Sequence, residues 1–132
     1  LVLFAQELGL NTCWVAMTYS KIKTAFQVEK GEKLCIVIAL GYGETQGLPH
    51  KSKSMEEVIQ LDGPAPEWFQ KGVEAALLAP TAMNQQKFLF RLDKNRVSVK
   101  AGFGFYTKID MGIVKYHFEI GAGKEHFQWE LS

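Results

Sequence analysis

The stretch Ala79-Pro80-Thr81-Ala82-Met83-Asn84-Gln85-Gln86 interrupts the chain between an apolar helical segment and an alternating strand. Proline lacks an amide hydrogen and its ring clashes with the preceding turn, so the helix must end here. Beyond the proline come a hydroxyl and consecutive side-chain amides, groups that both donate and accept hydrogen bonds. Such a turn can match a heteroaromatic ring whose edge alternates donors with acceptors. With a helix closing on one side and a hairpin opening on the other, the chain mixes helices with antiparallel strands, and the expected class is α+β.

The flanking segments agree with that class. Leu1 to Leu8 repeats apolar residues at a helical period, and Gly9 supplies a stop. Thr12 to Ala16 is short, apolar and extended. Lys21 to Val28 suggests a short amphipathic helix around Ile22, Ala25 and Phe26. Lys33 to Leu40 is continuously apolar and β-branched, which suits a central strand buried on both faces. Ser54-Met55-Glu56-Glu57 is a capping box, and Pro66 opens a helix with Phe69, Val73, Ala76 and Leu77 on one face. Lys87 to Leu92 and Arg96 to Ala101 alternate as a hairpin across Asp93-Lys94-Asn95, with Phe88, Phe90, Leu92, Val97 and Val99 inward. Gly102 to Lys108 reads as a glycine and aromatic loop. Asp110 is expected to cap a helix whose Ile113, Tyr116, His117 and Ile120 share a face and which Gly121 and Gly123 end. Phe127, Trp129 and Leu131 alternate in a last strand.

Composition narrows the function classes. A chain of 132 residues is one domain on length alone and can bury a core without disulfides or a structural metal. The net charge of +1 gives no field to hold a polyanion, which argues against nucleic acid as a partner. Nothing approaches the roughly 18 apolar residues of a membrane span. Cys13 and Cys35 are widely spaced, the pattern of reduced thiols in a cytoplasmic protein. His50, His117 and His126 are too scattered for metal-ligand spacing, and neither a phosphate-binding glycine motif nor a serine elbow occurs.

Three segments resemble the FMN-dependent nitroreductases. Ala5-Gln6-Glu7-Leu8-Gly9-Leu10-Asn11-Thr12-Cys13-Trp14-Val15 is similar to the family's A-x-x-L-G-L-G-T-C-W-I stretch. Ile38 to Tyr42, with Lys51 to Val58 after it, resembles its strand, its G-Y turn and the basic pair ahead of a short acidic segment. The Ala79 to Gln86 turn looks like the flavin turn A-P-S-x-x-N-x-Q. Here that turn comes last, an order that resembles the branch in which a single chain mimics the usual dimer. That branch starts with an R-R-S-x-R motif, and the resemblance therefore implies one nitroreductase-like domain over residues 1–132 that lacks an N-terminal portion. The implied fold is an antiparallel or mixed sheet flanked by helices.

The resemblance implies FMN as cofactor and NAD(P)H as co-substrate. It also implies a nitroaromatic or quinone-like acceptor and a homodimer or pseudo-dimer. Thr81, Asn84 and Gln86 would meet the flavin's pyrimidine edge, whose O2 and O4 accept while N3 donates. Lys51 and Lys53, just ahead of a capped turn, would hold the phosphate. Val15 and Ala16 would lie beside the ring, where backbone donors stabilise charge on its reduced form. No dedicated acid or base is needed, because the cofactor carries the difficult step. Each assignment has a plainer alternative: amides that cap backbone groups, a solvated lysine loop, and ordinary packing of Cys13 and Trp14. The expected function is thus an oxidoreductase, with a flavin-binding module or a structural half-domain as the other readings.

Overall fold

The computed structural model describes residues 1–20 and 26–130. Most of the helix expected around Ile22 and Ala25, and Leu131 at the end of the last strand, lie outside the described residues. The chain forms two compact units, Leu1–Pro49 and His50–Ser132.

The first unit begins with helix α1 (Val2–Glu7) and a two-stranded antiparallel sheet, β1 (Asn11–Val15) and β2 (Val37–Gly41). Gly9 stops α1 as its sequence position predicts. Its φ of 74° is a left-handed conformation that glycine adopts without a Cβ penalty. The Gly9 N–H donates to the Gln6 carbonyl at 3.0 Å and the Leu10 N–H to that of Ala5 at 2.9 Å, which satisfies the last carbonyls of the helix. Asn11 then fixes the exit from β2: its Oδ1 accepts from the Gly43 N–H at 2.8 Å and its Nδ2 donates to the Thr45 carbonyl at 3.1 Å. The expected strand Lys33 to Leu40 is narrower than its composition suggests. It pairs only from Val37, has one neighbour among the described residues, and leaves Leu40 exposed rather than buried on both faces. Continuous apolar sequence does not by itself distinguish a central strand from one member of a pair. Cys13, expected in packing, is exposed, as is Cys35. Trp14 is half-buried, and its enclosed indole N–H has no hydrogen-bond partner among the described residues.

The second unit holds a four-stranded mixed sheet in the order β3-β4-β5-β6. Its centre is the predicted hairpin, β4 (Phe88–Asp93) and β5 (Arg96–Ala101). Asp93 pairs with Arg96, so the loop is only Lys94-Asn95, with Lys94 at a φ of 59°. Two-residue strands, β3 (Ile59–Gln60) and β6 (Gln128–Trp129), flank it in parallel. Helices α2 (Glu67–Leu77) and α3 (Thr107–Ala122) pack on the face that presents Phe88, Phe90 and Val97. The expected apolar stripe of α2 is all buried. Pro66 sits at the N-cap of α2 rather than at its first position, a one-residue difference of boundary.

Helix α3 differs more. It starts at Thr107 behind Tyr106, so Asp110 is not its cap. Its buried stripe is Asp110, Val114, Phe118 and Ala122, while Tyr116 and Ile120 face solvent. Tertiary packing selects that register. Phe118 stacks on Phe90 with ring centroids 4.8 Å apart and meets Phe69 edge-on at 5.6 Å. A Cβ at Gly72 would stand 2.6 Å from the Phe118 ring, so the glycine makes room for it. Gly121 belongs to the helix instead of ending it, and a Cβ there would strike the Lys71 carbonyl of α2. Gly123, with φ 77°, is the stop. Trp129 closes the end of the core, donating from Nε1 to Glu119 at 2.8 Å with the Lys115 ammonium over its ring.

Candidate functional site

Helix α2 stops where the proline dictates, and the turn after it is strained. Met83, Asn84 and Gln86 have φ values of 53°, 51° and 44°. Left-handed backbone costs an ordinary L-residue about 1–2 kcal/mol, although Asn tolerates it. The exposed Met83 side chain gains no packing in return. Strain of this kind persists only where surrounding bonds over-determine it, and it clusters at functional sites.

Those bonds come from two directions. On one side lies the Lys51–Ser54 segment. The buried Gln86 carboxamide accepts from the Lys53 N–H at 2.9 Å and donates to the Lys51 carbonyl at 2.9 Å and to the Asn84 side chain at 2.8 Å. Its own carbonyl accepts from the Lys53 ammonium at 3.0 Å, and its N–H donates to the Thr81 hydroxyl at 3.0 Å. Asn84 Nδ2 also donates to the Lys51 carbonyl at 2.9 Å. Ser52 reaches the last turn of α2, donating to the Leu77 carbonyl at 3.3 Å. The predicted capping box is present at the 3-10 turn Met55–Glu57, where Glu57 accepts from the Ser54 N–H at 2.9 Å. Glu56 beside it is held below the usual carboxylate range by its own backbone N–H and by the Ser54 hydroxyl.

On the other side is α3. Asp110 is buried, and its carboxylate accepts from the Ala82 N–H at 3.0 Å and from Gln85 Nε2 at 2.7 Å. The same Gln85 nitrogen donates to the Phe105 carbonyl at 2.8 Å, and Lys87 donates to that of Phe103 at 2.8 Å. The turn therefore also holds the aromatic loop, whose Phe103 and Phe105 rings face solvent.

Five of the residues singled out in the sequence, Lys51, Lys53, Thr81, Asn84 and Gln86, thus form one hydrogen-bonded cluster in the second unit. Val15 and Ala16 belong to the first unit, at and just beyond the end of β1, and both are half-buried. Sequence reasoning missed Asp110 and Gln85. The available signal, an acid in the first turn of a helix, is the one that a helix cap also gives. Of the cluster, Lys51 and Asn84 are exposed, and Thr81 is half-buried. A separate groove of about 840 Å³ on the open sheet face, lined by Gln60, Arg91, Ser98 and Lys100 among others, includes none of these residues. Among the described residues no group of His, Cys, Asp and Glu side chains could hold a metal, and no helix is long and apolar enough to cross a membrane.

The fold is that of nitroreductases. A crystal structure of a "putative nitroreductase" from Thermotoga maritima superposes with a TM-score of 0.68 at 22% identity, covering 90% of this chain and 48% of that one. The chain thus spans about half the length of the solved structure it matches. A family model described as "Putative TM nitroreductase" matches residues 1–122, and the chain belongs to that nitroreductase family. No curated protein matches it.

Proposed function

We propose that this chain is an FMN-dependent oxidoreductase, resembling NAD(P)H nitroreductases, that passes electrons from NAD(P)H to a nitroaromatic or quinone-like acceptor. The observation that carries the reading is the strained Met83–Gln86 turn bonded directly to the lysine segment. A polar loop that only capped its own backbone would need neither the left-handed residues nor the tie to Lys51 and Lys53.

The residues present fit the group. Asn84 is exposed and, after its bonds to Lys51 and Gln86, keeps one N–H and one lone pair for a pyrimidine edge. Thr81 accepts from Gln86 and retains its hydroxyl hydrogen as a donor. The Gln86 carboxamide is committed within the protein, which makes it the clasp that sets Lys51 and Lys53 beside the turn rather than a contact to the ring. Lys51 and Lys53 then supply cations where the phosphate would lie. For Val15 and Ala16, in the first unit, the support is the sequence resemblance alone. FMN, when bound, supplies the redox chemistry between nicotinamide and acceptor. The protein's part is to orient the ring, hold its phosphate and present fixed dipoles. A homodimer or pseudo-dimer and a cytoplasmic setting belong to the same proposal.

The test uses the full chain, titrated with FMN and with riboflavin by flavin fluorescence, then assayed for NAD(P)H oxidation driven by a nitroaromatic. Lys51→Ala is expected to weaken FMN about tenfold, the worth of one charge-assisted bond, and to leave riboflavin unchanged. Flavin bound without turnover would reassign the chain as a flavin-binding module. Neither binding nor turnover would remove the flavin reading altogether.

A further inference from the structure

Asp110 stands in the first turn of α3, where the helix dipole favours an acid. Its hydrogen bonds nevertheless lie outside its own helix. The carboxylate reaches 28 residues back to the Ala82 N–H and 25 residues back to Gln85 Nε2. These two partners bracket Met83 and Asn84, the consecutive left-handed residues of the turn. Asp110 is 5% exposed, and its carboxylate accepts both bonds in partly buried surroundings, where hydrogen bonds to a carboxylate are the strong class. Gln85 carries the link onward to the Phe105 carbonyl, and the turn, α3 and the aromatic loop become one connected unit.

We infer that Asp110 is a positioning residue for the Asn84 turn. Its carboxylate holds the left-handed pair in place, so that the Asn84 carboxamide is presented to a flat ligand in one fixed orientation. The role rests on the proposed flavin function, and Asp110 acts through Ala82 and Gln85. Without the carboxylate, the Ala82 N–H loses its acceptor and the Gln85 amide keeps only the Phe105 carbonyl, and the turn relaxes toward conformations that cost Met83 less.

Asp110→Ala, Asp110→Asn and Gln85→Ala separate this role from simple stabilisation. Asparagine keeps an oxygen for the Ala82 N–H but turns an amide donor toward the Gln85 donor, so one bond of two survives. FMN affinity in the full chain is expected to fall about a hundredfold in Asp110→Ala and about tenfold in Asp110→Asn and in Gln85→Ala, roughly tenfold for each bond to the Asp110 carboxylate that is lost. The absorption bands of the flavin that does bind are expected to shift, whereas a merely stabilising residue would lower the unfolding midpoint and leave those bands alone. Amide exchange at Ala82, read without flavin, is expected to accelerate in Asp110→Ala and to be partly restored in Asp110→Asn. A wild type that binds FMN, with variants matching its affinity and spectrum, overturns this inference and spares the flavin reading. Unchanged Ala82 exchange also overturns it. A wild type that takes up no FMN overturns both.

Discussion

His117 shows how a single side chain links the packing of α3 to pH. Burial pushes its imidazole below the ordinary value near 6.5, only partly offset by a hydrogen bond with the Ala75 backbone. The folded state therefore resists the proton that the unfolded chain accepts. Stability is full above about pH 6.5 and is lost as pH falls from there through the lowered value. His117→Gln is expected to flatten that part of the curve, checked by denaturant unfolding at intervals between about pH 7.5 and 5; an unchanged slope would contradict the assignment. Glu119 behaves in the opposite chemical sense on the same helix. Burial raises it, but hydrogen bonds from Lys124 and Trp129, with the charges of Lys124 and Lys115, outweigh burial and hold it below the usual carboxylate range. The exposed Glu67–Lys71 pair at 2.7 Å is an ordinary helix-surface contact and contributes little.

Between α2 and α3, Gly72 and Gly121 decide how closely the helices approach. Gly121→Ala would drive a methyl into the Lys71 carbonyl and to 2.6 Å from the Ala75 Cβ. It is expected to destabilise by about 1–3 kcal/mol, the usual cost of overpacking. Gly112, on the same helix, meets nothing within 4 Å, and Gly112→Ala is expected to stabilise by about 0.5–1 kcal/mol. Opposite shifts in the urea midpoint would confirm the pair; shifts of one sign would refute it. These helices also show what a sequence makes legible. The stripe of α2, the hairpin and the capping box are set by local spacing, and residues such as Phe69, Phe90 and Ser54 announce them. The register of α3 is not legible, because Ile113, Tyr116 and Ile120 compete with Val114, Phe118 and Ala122 at the same period. Only the space above Gly72 and the ring of Phe90 choose between them. The clustering of Lys51 and Lys53 with Thr81, Asn84 and Gln86 is implied by family resemblance, while Asp110 stays hidden because its partners lie on another element.

The two units differ in how much they bury. The second has a continuous core from Val58 to Phe127 with aromatic rings in mutual contact, whereas Ala5 is the buried apolar residue described in the first. Slow amide exchange is accordingly expected in β4, β5, α2 and α3, and fast exchange in β1 and β2, because local opening is governed by the apolar contacts that must be broken. Protection in β1 equal to that in β4 would show that the first unit is stabilised by more than its own contacts. The sheet of the second unit has one more property. Among the described residues its border strands, Ile59–Gln60 and Gln128–Trp129, are two residues each. So little free ladder at either margin gives a foreign strand almost nothing to zip onto, and the polar face of this sheet can meet water without recruiting its neighbours into fibrils.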